Sequence, residues 1–569
     1  MNGADILVKS LEDLGVKQVS GYPGAAILPV FHSLAASKIS VIVHANEQSC
    51  AFGAAGVSRA SDQVGVAVVT SGPAITNTLT AVADSNADSI PIIVFAGQVH
   101  SGKIGTDEFQ HIDVSRVFAK AAKKVVLAAD TGKMEEIVKD AFYFAKSGKP
   151  GPVVIDLPMD VQVGEGSYAG TDPEIYRKKY EDERHLGDNQ CKQFFRLLTQ
   201  AKRPLLYIGG GLNNQRASDR IREFNRLLNI PSINSLTGKG ILDESLDTSL
   251  GMLGMYGTPY ANQAIQETDL FVAMGVRWDD RVSQRVGESG LAADIAYIDI
   301  NPEKVQEVRV SRRPKFSFIG DAATALEDIL SYVRRNPIQL DIGSWQQRVT
   351  ELKKQMALDF NRETDIIQQA EVIQILAALL PDGIRITTGV GNHQMLAAQY
   401  FKIKRPKSFI TSGGFGTMGF GLPCAVGVHY ADPSAPVLVI DGDGSLRMNM
   451  GELHTIGARQ LPIKVLMLNN HSRGMVRNIQ TVRYEGRTIA TEEDCQTVSF
   501  ARIARECGFK SAERITERQD IRPSLDRLLA AEGPGFLEII TDIEEAVYPV
   551  IAPGNGYREM NLGPYIKKA

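Results

Sequence analysis

The stretch Val439–Asn470 reads VIDGDGSLRMNMGELHTIGARQLPIKVLMLNN, and its pattern decides the fold class. Two apolar runs, one before the turn Gly442–Gly444 and one before Asn469, predict two buried strands. The residues between them place their apolar side chains on roughly one face and predict a helix. A strand, a helix and a second strand form a βαβ unit, in which the connection is right-handed and the strands are parallel.

Each strand of this unit ends in a polar residue, Asp443 after the first and Asn470 after the second. Neighbouring strands lie about 4.8 Å apart, so both side chains would reach the carboxyl edge, where open α/β sheets bind ligands. A carboxylate, an amide oxygen and a loop carbonyl suit Mg²⁺, which completes its shell with water and phosphate oxygens. The alternative is a common tight turn and an ordinary strand end; the paired spacing favours a metal site.

The same alternation of apolar runs and helical patterns fills three segments of the chain and predicts an α/β protein with three doubly wound parallel-sheet domains. The predicted domains are residues 1–165, 190–335 and 365–547, followed by a tail at 548–569. Polar connectors at Gly166–Gln190 and from Asn336 to about Thr364 separate them. The runs that predict strands are QVSGYPG, ISVIVHANE, VGVAVVTSGP, IPIIVFAGQV, GPVVIDLP, PLLYIGGG, PSINSLTG, DLFVAMGVRW, IAYIDINP, IRITTGVG, KSFITSGG, PVLVIDGDG, IKVLMLNN and GFLEIITDI.

The bulk composition argues against several classes of protein. The net charge is −4 and the basic residues are scattered, so no nucleic-acid partner is expected. The N-terminus lacks the pattern of a signal peptide, and no apolar run comes near the roughly 20 residues needed to span a bilayer. Five cysteines without CxxC spacing support neither a disulfide framework nor a metal cluster. These features predict a cytoplasmic globular protein.

The GDG turn and the Asn pair together resemble the diphosphate-binding motif of thiamine diphosphate enzymes. The resemblance implies that Asp443, Asn470 and the main-chain carbonyl of Ser472 bind Mg²⁺. It also implies that Gly442, Gly444 and Ser445 face the diphosphate at a helix N-terminus.

Thiamine diphosphate chemistry further needs a carboxylate at the N1′ atom of the pyrimidine. Glu47 follows an apolar run and precedes a small-residue helix, where the helix dipole alone would also favour a glutamate. The flanking GYPGAAILPVF and VVTSGPAITNTLTAVADSNADSIPIIVFAGQ resemble the first domain of the same superfamily, so Glu47 is identified as the activating glutamate and Pro23 and Gly24 as cofactor contacts. In that superfamily the glutamate and the diphosphate site come from different chains, which implies a homodimer or homotetramer with the site at the subunit interface.

The resemblance runs nearly from end to end, and its nearest form is acetohydroxyacid (acetolactate) synthase. GKIGTDEFQ resembles the loop that gives Phe109 and Gln110 to the active site. TSGGFGTMGFGLPCAVG is similar to the segment that holds the aminopyrimidine, with the Gly416 carbonyl toward the 4′-amino group and Met418 as an apolar wedge, although a methionine is more often core filling. Met475 is a further expected cofactor contact, and VYPVIAPG resembles the tail that closes over the site.

The middle domain resembles the FAD-binding domain of the biosynthetic synthases in six segments: AKRPLLYIGGGLNN, SLTGKG, GMLGMYGT, GVRWDDRV, YIDINPE and IGDA. A lone GGG after a strand would be weak support; six segments in order are stronger. The resemblance implies a structural FAD bound by Gly209, Gly210, Gly211, Thr237, Met255, Arg277, Asp279, Arg281, Asp299, Ile300 and Asp321. Arg281 is also a candidate for binding the acceptor carboxylate, because a guanidinium pairs with a carboxylate in bidentate fashion.

The implied reaction decarboxylates pyruvate and adds the hydroxyethyl carbanion to a second 2-ketoacid. The pocket wall departs from the family pattern: Ile479 stands where the synthases have a tryptophan that favours 2-ketobutyrate. Other departures are Asn46, Ala25, Ala74, Ser101 and Gly102.

These departures keep two other activities open: transfer of the same acetyl anion to a bulkier ketone or keto-sugar, and a flavoenzyme resembling pyruvate oxidase. A non-catalytic paralogue is disfavoured, because Glu47, Gln110, Asp443 and Asn470 are all retained. Binding of a small regulatory subunit stays open.

Overall fold

The computed structural model describes residues 1–182, 184–278, 293–492, 498–552 and 554–568. It contains three six-stranded sheets in which every paired strand is parallel. Helices flank each sheet, so the predicted class of three doubly wound parallel sheets is confirmed. No helix in the described residues is both long and apolar enough to cross a membrane.

The strands are numbered in chain order. The first sheet contains β1 Gln18–Gly21, β2 Ser40–Val43, β3 Gly65–Val69, β4 Ile92–Gln98, β5 Lys124–Leu127 and β6 Val153–Pro158. The central sheet contains β7 Pro204–Ile208, β8 Ser232–Asn234, β9 Ser249–Met252, β10 Leu270–Met274, β11 Asp294–Asp299 and β12 Phe316–Ile319. The third sheet contains β13 Arg385–Thr388, β14 Phe409–Ile410, β15 Val437–Gly442, β16 Ile463–Asn469, β17 Ser511–Ile515 and β18 Gly535–Ile540.

The α-helices of the described residues surround these sheets. They are Gly3–Asp13, Leu28–Ala35, Glu47–Ala60, Pro73–Asn77, Leu79–Ala87, Val114–Phe118, Met134–Lys146, Met159–Val163, Glu174–Lys179, Asp188–Gln200, Gln215–Leu228, Pro259–Glu267, Pro302–Arg312, Ala322–Arg335, Gly343–Gln355, Gln369–Ala377, Asn392–Tyr400, Gly421–Ala431, Asp443–Leu446, Glu452–Ala458, Gly474–Arg483, Phe500–Glu506 and Ile521–Ala530. The single helix predicted after the GDG turn is therefore broken: a 3₁₀ turn at Arg447–Asn449 separates Asp443–Leu446 from Glu452–Ala458.

The strand orders show how the three sheets are related. The first sheet has the order β2-β1-β3-β4-β6-β5, and the third has the corresponding order β14-β13-β15-β16-β18-β17. The central sheet has the order β12-β11-β10-β7-β8-β9, which is the strand order of dinucleotide-binding folds. The outer sheets thus share one topology and the central sheet has another.

Four strands have no counterpart among the predicted runs: β5, β9, β12 and β17. All four lie at a sheet edge, and three of them combine half-buried positions with either buried or exposed ones rather than forming a continuous buried run. The strands that were predicted include every central one. Parallel strands buried on both faces have continuous apolar sequences, and edge strands need not.

Two segments outside the predicted central domain belong to its core. Helix Gly343–Gln355, within the predicted connector, buries Trp345 and Val349 against it. The tail adds Ile551 and Tyr557 to the same apolar cluster. The tail therefore packs on the central domain, in addition to any role it has near the site.

The outer domains contact each other through two topologically equivalent helices, Glu47–Ala60 and Gly421–Ala431, which follow the second strand of their sheets. Glycines allow the two backbones to touch. A Cβ at Gly56 would lie 2.2 Å from the carbonyl oxygen of Cys424, and one at Gly427 would lie 1.9 Å from that of Gly53. Both distances are far below van der Waals contact, so this close approach requires glycine.

Candidate cofactor site

The carboxyl edge of the third sheet forms a pocket between neighbouring strands. β15 and β16 pair in register, with Gly442 opposite Leu468, so the residues that follow each strand lie side by side. The pocket is lined by Gln369, Val390, Asn392, His393, Met418, Gly442, Asp443, Gly444, Ser445, Leu468, Asn470, Ser472, Arg473 and Gly474. The structure thus brings together all three predicted metal ligands and the predicted diphosphate contacts Gly442, Gly444 and Ser445.

The donor set of this pocket is chemically suited to Mg²⁺. Asp443 and Asn470 are both buried, and the Asn470 side-chain oxygen accepts a hydrogen bond from the Ser472 amide at 3.2 Å, which turns the chain back toward the pocket. No cluster of three or more His, Cys, Asp or Glu side chains forms a metal site in the described part of the chain. One carboxylate with neutral oxygens leaves coordination positions for water and phosphate, as Mg²⁺ prefers.

The part of this pocket that follows β13 was not predicted from the sequence. Asn392 and His393 begin the helix Asn392–Tyr400 after a turn containing Gly389 and Gly391. Burial lowers the pKa of His393 to about 3, so its imidazole is neutral. A Cβ at Gly442 would lie 2.8 Å from its Nδ1 atom, so Gly442 makes room for the ring. The signal in the sequence was a strand followed by a Gly-x-Gly turn.

The Asn pair has two separate roles. The Asn469 amide nitrogen donates to the buried Glu538 carboxylate at 2.9 Å, and its oxygen accepts from the His471 amide at 3.0 Å. Asn470 faces the pocket instead. Glu538 was not predicted, because a single glutamate within the apolar run GFLEII gives no sign of its partner.

The segment Thr411–Gly419, called here the cofactor loop, carries Gly416 and Met418. Gly416 has φ +70° and is exposed, whereas Met418 lines the pocket. The Ser445 hydroxyl accepts from the Gly419 amide at 3.0 Å and so joins the loop to the helix after the GDG turn. Of the two predicted pyrimidine contacts, Met418 therefore lies beside the predicted diphosphate contacts, whereas Gly416 does not line this pocket.

Glu47 lies at the first position of helix Glu47–Ala60 and is half-buried. Its carboxylate accepts from the Asn77 side chain at 2.9 Å, and it does not line the pocket of Asp443 in the same chain. The preceding backbone is fixed by Glu452, which accepts from the Ala45 amide at 2.7 Å and lies 3.0 Å from His44 Nδ1. The first residue of helix Glu452–Ala458 in the third domain thus fixes the backbone that leads to Glu47.

The other residues predicted in the first domain lie around the same edge of that sheet. Gln110 has φ +61° and its side-chain oxygen accepts from Ser71 at 3.4 Å, whereas Phe109 is 83% exposed. Gly24 lies against Thr70, since a Cβ there would be 2.4 Å from the Thr70 methyl group. Pro23 is exposed. Met475, on helix Gly474–Arg483 at the pocket of the third sheet, is half-buried.

Most residues predicted to bind FAD lie at the carboxyl edge of the central sheet. Gly209 and Gly211 lie against Gly275 and Gly210 against Thr237, so these glycines also serve close loop packing. The half-buried Asp299 ends β11, and desolvation raises its pKa to about 6. Asp321 caps helix Ala322–Arg335 by accepting from the Thr324 amide at 2.9 Å.

Three further residues complete the predicted FAD set. Ile300 is half-buried and follows β11. The Met255 carbonyl accepts from the Ile551 amide at 3.0 Å, so it contacts the tail. The Arg277 side chain donates to the carbonyl of Ala87 in the first domain. Asp279 and Arg281 lie outside the described residues.

Comparison with known proteins identifies the family. Three family profiles match in order: "Thiamine pyrophosphate enzyme, N-terminal TPP binding domain" at residues 1–117, "central domain" at 191–329 and "C-terminal TPP binding domain" at 389–539. The "Acetolactate synthase large subunit" of Pyropia yezoensis is 37% identical over 565 residues, which cover 98% of this chain and 95% of that protein.

The chain belongs to the thiamine pyrophosphate enzymes of the acetolactate synthase type. Two more relatives agree with this placement. The "Acetolactate synthase isozyme 2 large subunit" of Escherichia coli (strain K12) is 36% identical over 564 residues, covering 98% of this chain and 99% of its own. The "Acetolactate synthase, chloroplastic" of Arabidopsis thaliana is 36% identical over 573 residues, covering 98% and 84%. The resemblance to this synthase family, seen in the GDG and Asn motifs, is confirmed.

Proposed function

We propose that this protein is a thiamine diphosphate-dependent carboligase that decarboxylates pyruvate and joins the two-carbon unit to a second 2-ketoacid, forming acetolactate when that acid is pyruvate. The observation that carries the proposal is the pocket in which Asp443, Asn470 and Ser472 meet at the carboxyl edge of one sheet. Similarity to acetolactate synthases over 98% of the chain supports the choice of reaction.

The pocket residues fit thiamine diphosphate with Mg²⁺. Asp443, Asn470 and the Ser472 carbonyl would hold the metal, and Gly442, Gly444 and Ser445 would lie beside the diphosphate. When bound, the cofactor accepts the electrons released by decarboxylation. Met418 supplies an apolar wall on one side, since its methyl group lies 3.4 Å from the position of a Cβ at Gly444. Neutral His393 adds no charge to the site.

Glu47 would hold or accept a proton at the cofactor's pyrimidine, and Gln110 and Phe109 would contact the substrate. Because Glu47 does not line the pocket of its own chain, a second copy would complete each site. Several large apolar side chains near these elements are exposed in the single chain, including Phe109, Phe415 and Met448. Such surfaces usually mark interfaces, which supports a homodimer or a homotetramer of such dimers.

FAD fits the central domain by topology. In a sheet of this order, dinucleotides bind where the strand order reverses, here between β7 and β10. The loops after these two strands carry Gly209–Gly211 and Gly275–Arg277. Glycine there permits a close approach of backbone and ligand. A structural flavin, without a redox change in the main reaction, is the proposed role.

Further partners and the compartment are also proposals. The names of the relatives include "large subunit", which supports binding of a small regulatory subunit. A role in branched-chain amino acid biosynthesis is proposed from the resemblance of the middle domain to the biosynthetic synthases. Cys50, Cys191, Cys424 and Cys507 are free thiols. Reduced cysteines suit a cytoplasmic location.

Product analysis tests the function. The full chain with thiamine diphosphate, Mg²⁺ and FAD receives pyruvate alone, and then pyruvate with excess 2-ketobutyrate. We expect acetolactate from pyruvate without oxygen uptake, and a product ratio that is less selective for 2-ketobutyrate than in synthases with tryptophan at the position of Ile479. The Ile479→Trp variant should raise the ratio of 2-ketobutyrate product to acetolactate by about 10- to 200-fold, since a difference of one methylene in an apolar pocket is already worth about 1–3 kcal/mol of discrimination.

A second candidate activity is favoured by the exposed Ile479, which leaves room for a bulkier acceptor. Slow pyruvate decarboxylation with little acetolactate, and faster turnover after a bulky ketone is added, would support that activity instead. Oxygen uptake with acetate or acetyl phosphate as product would indicate a pyruvate oxidase-like flavoenzyme.

A further inference from the structure

Asp88 lies at the point where the three domains meet. It follows helix Leu79–Ala87 of the first domain, and its side chain is 1% exposed. Its carboxylate accepts from the backbone amides of Gly413 at 2.9 Å and Gly414 at 2.7 Å. Arg59 Nη2 donates to it at 3.0 Å and to Asp84 at 2.8 Å, so the two carboxylates share one guanidinium. One buried carboxylate of the first domain therefore holds the backbone of the cofactor loop.

Asp84 holds the same loop at two other points. Its carboxylate accepts from the Ser412 hydroxyl and from the Thr417 hydroxyl, the latter at 2.8 Å. Asp84 and Asp88 thereby fix both ends of the turn that presents Gly416. The turn itself is exposed at Phe415, so its position depends on these two anchors.

The central domain touches the loop at the Asp88 anchor. Arg277 Nη1 lies 3.8 Å from the Asp88 carboxylate, and the same guanidinium donates to the Ala87 carbonyl. A Cβ at Gly414 would lie 2.1 Å from Arg277 Nη1, and one at Gly413 would lie 2.6 Å from the Thr237 methyl group. The loop backbone is therefore in direct contact with two side chains, Arg277 and Thr237, that are proposed to bind FAD.

We propose that Asp88 and Arg277 couple the two cofactor sites, so that FAD in the central domain tightens thiamine diphosphate binding and thiamine diphosphate tightens FAD binding. This inference rests on the proposed function. A bound dinucleotide that fixes Arg277 also fixes the guanidinium against Gly414 and beside Asp88. The cofactor loop then has fewer conformations available, so it loses less conformational entropy when the second cofactor binds. Such a coupling gives FAD a function without any redox step.

Coupling between two binding sites is reciprocal, and a typical coupling changes each affinity by about 5- to 150-fold. The test uses the full-length protein freed of cofactors, with Mg²⁺ present throughout. Calorimetry measures the Kd of thiamine diphosphate with and without saturating FAD. Flavin fluorescence measures the Kd of FAD with and without thiamine diphosphate. We expect both ratios to be equal and at least about five.

Two variants break the contact from opposite sides. Asp88→Asn removes the charge that faces Arg277, and Arg277→Met removes the guanidinium while leaving the buried Asp88–Arg59 pair in place. In each variant both ratios should fall to near one, whatever happens to the separate affinities. Circular dichroism checks folding, and Arg277→Met decides the matter if Asp88→Asn does not fold.

Asp84→Asn is the matched control, because Asp84 shares Arg59 with Asp88 and anchors the same loop, but does so through Ser412 and Thr417. Asp84→Asn should weaken thiamine diphosphate binding but leave both Kd ratios at their wild-type values. If both cofactors bind the wild-type protein independently, the coupling is wrong while the proposed function stands. If the Kd ratios fall to near one in Asp84→Asn as well as in Asp88→Asn, general loosening of the loop is responsible, and the assignment to Asp88 and Arg277 is overturned. If FAD does not bind at all, the flavin proposal and the coupling both fail.

Discussion

The first and third sheets have the same strand order but carry different chemistry at their carboxyl edges. In the third sheet, the third and fourth strands in sequence are followed directly by Asp443 and Asn470. At the equivalent ends of the first sheet stand Thr70–Gly72 and Val99, which offer no carboxylate. The first domain places its carboxylate, Glu47, after the second strand instead.

The buried parts of the two sheets have diverged much less. Asp156, on β6, accepts from the Gln98 side chain at the end of β4 at 3.3 Å. Glu538, on β18, accepts from Asn469 at the end of β16. These pairs occupy equivalent positions, and the helices joined at Gly56 and Gly427 are equivalent too. One scaffold would therefore support the proposed metal and diphosphate site in one copy and the proposed proton-transfer group, Glu47, in the other.

The largest expected effect is the loss of the proton-transfer group. Glu47→Gln should lower the kcat of acetolactate formation by about 10²- to 10⁴-fold, the usual contribution of a positioned acid or base. The Kd of Mg²⁺ should not change, because that site belongs to the other edge. Glu174→Gln is the control, since Glu174 also begins a helix, in the connector after the first domain, and its side chain is 44% exposed. Equal activity of the two variants would remove Glu47 from the mechanism.

The proposed Mg²⁺ site at the carboxyl edge of the third sheet can be tested by substitutions at equivalent turns of the two outer sheets. Asp443→Asn should weaken Mg²⁺ binding by more than the roughly 10- to 100-fold that changes beside a ligand cost. Calorimetry of Mg²⁺ with thiamine diphosphate measures this. Ser71→Ala, at the equivalent turn of the first sheet, should leave Mg²⁺ affinity unaltered. Similar losses in both variants would mean that the two edges are not specialised as proposed.

The shared helix contact predicts a stability effect of intermediate size. Gly427→Ala places a methyl group against the Gly53 carbonyl oxygen, and overpacking of this kind costs about 1–3 kcal/mol. We expect the thermal unfolding temperature to fall by several degrees. Gly343→Ala is the control, because a Cβ there meets nothing within 4 Å. An unchanged unfolding temperature in Gly427→Ala would show that the outer domains can separate slightly without loss.

The smallest expected effect is a pH dependence at the equivalent buried acids. Burial raises the pKa of Asp156 to about 7, and nearby Asp113 adds to the shift. The folded chain therefore keeps this proton up to about pH 7, whereas the unfolded chain loses it near pH 4. The stability that the proton contributes is present at low pH and is lost as the pH rises to 7. The free energy of unfolding of Asp156→Asn, relative to that of the wild type, should rise by on the order of 2 kcal/mol between pH 5 and 7. Urea unfolding at each pH measures this difference.

Asp160→Asn serves as the control for this pH effect. Burial alone would raise the pKa of Asp160, but hydrogen bonds from Ser101 outweigh it and lower that pKa. Its titration therefore lies below the window, and the difference from the wild type should stay constant between pH 5 and 7. If the free energy of unfolding changed with pH in the same way in Asp156→Asn and in the wild type, Asp156 would not be the acid with the raised pKa.

The sequence predicted those features that depend on one segment at a time. The apolar runs of the central strands were readable, and so was the meeting of Asp443 and Asn470, because adjacent parallel strands end at the same edge. The partners that come from distant segments were not predicted: Glu538 for Asn469, and Asp84 and Asp88 for the cofactor loop. The role of a buried carboxylate can be predicted only when its hydrogen-bond donors are known. Here those donors come from other strands or from another domain.

The packing of the tail has a consequence for folding during synthesis. Leu562 and Ile566 join Ile551 and Tyr557 in the core of the central domain, and the Gln266 side chain donates to the Tyr557 carbonyl at 3.2 Å. Domains usually fold in order as the chain emerges from the ribosome. Here part of the core of the central domain stays uncovered until residues 551–566 have been synthesised. Removal of these residues should therefore destabilise the central domain, although the two are far apart in the sequence. Folding of the central domain should also depend on chaperones during synthesis.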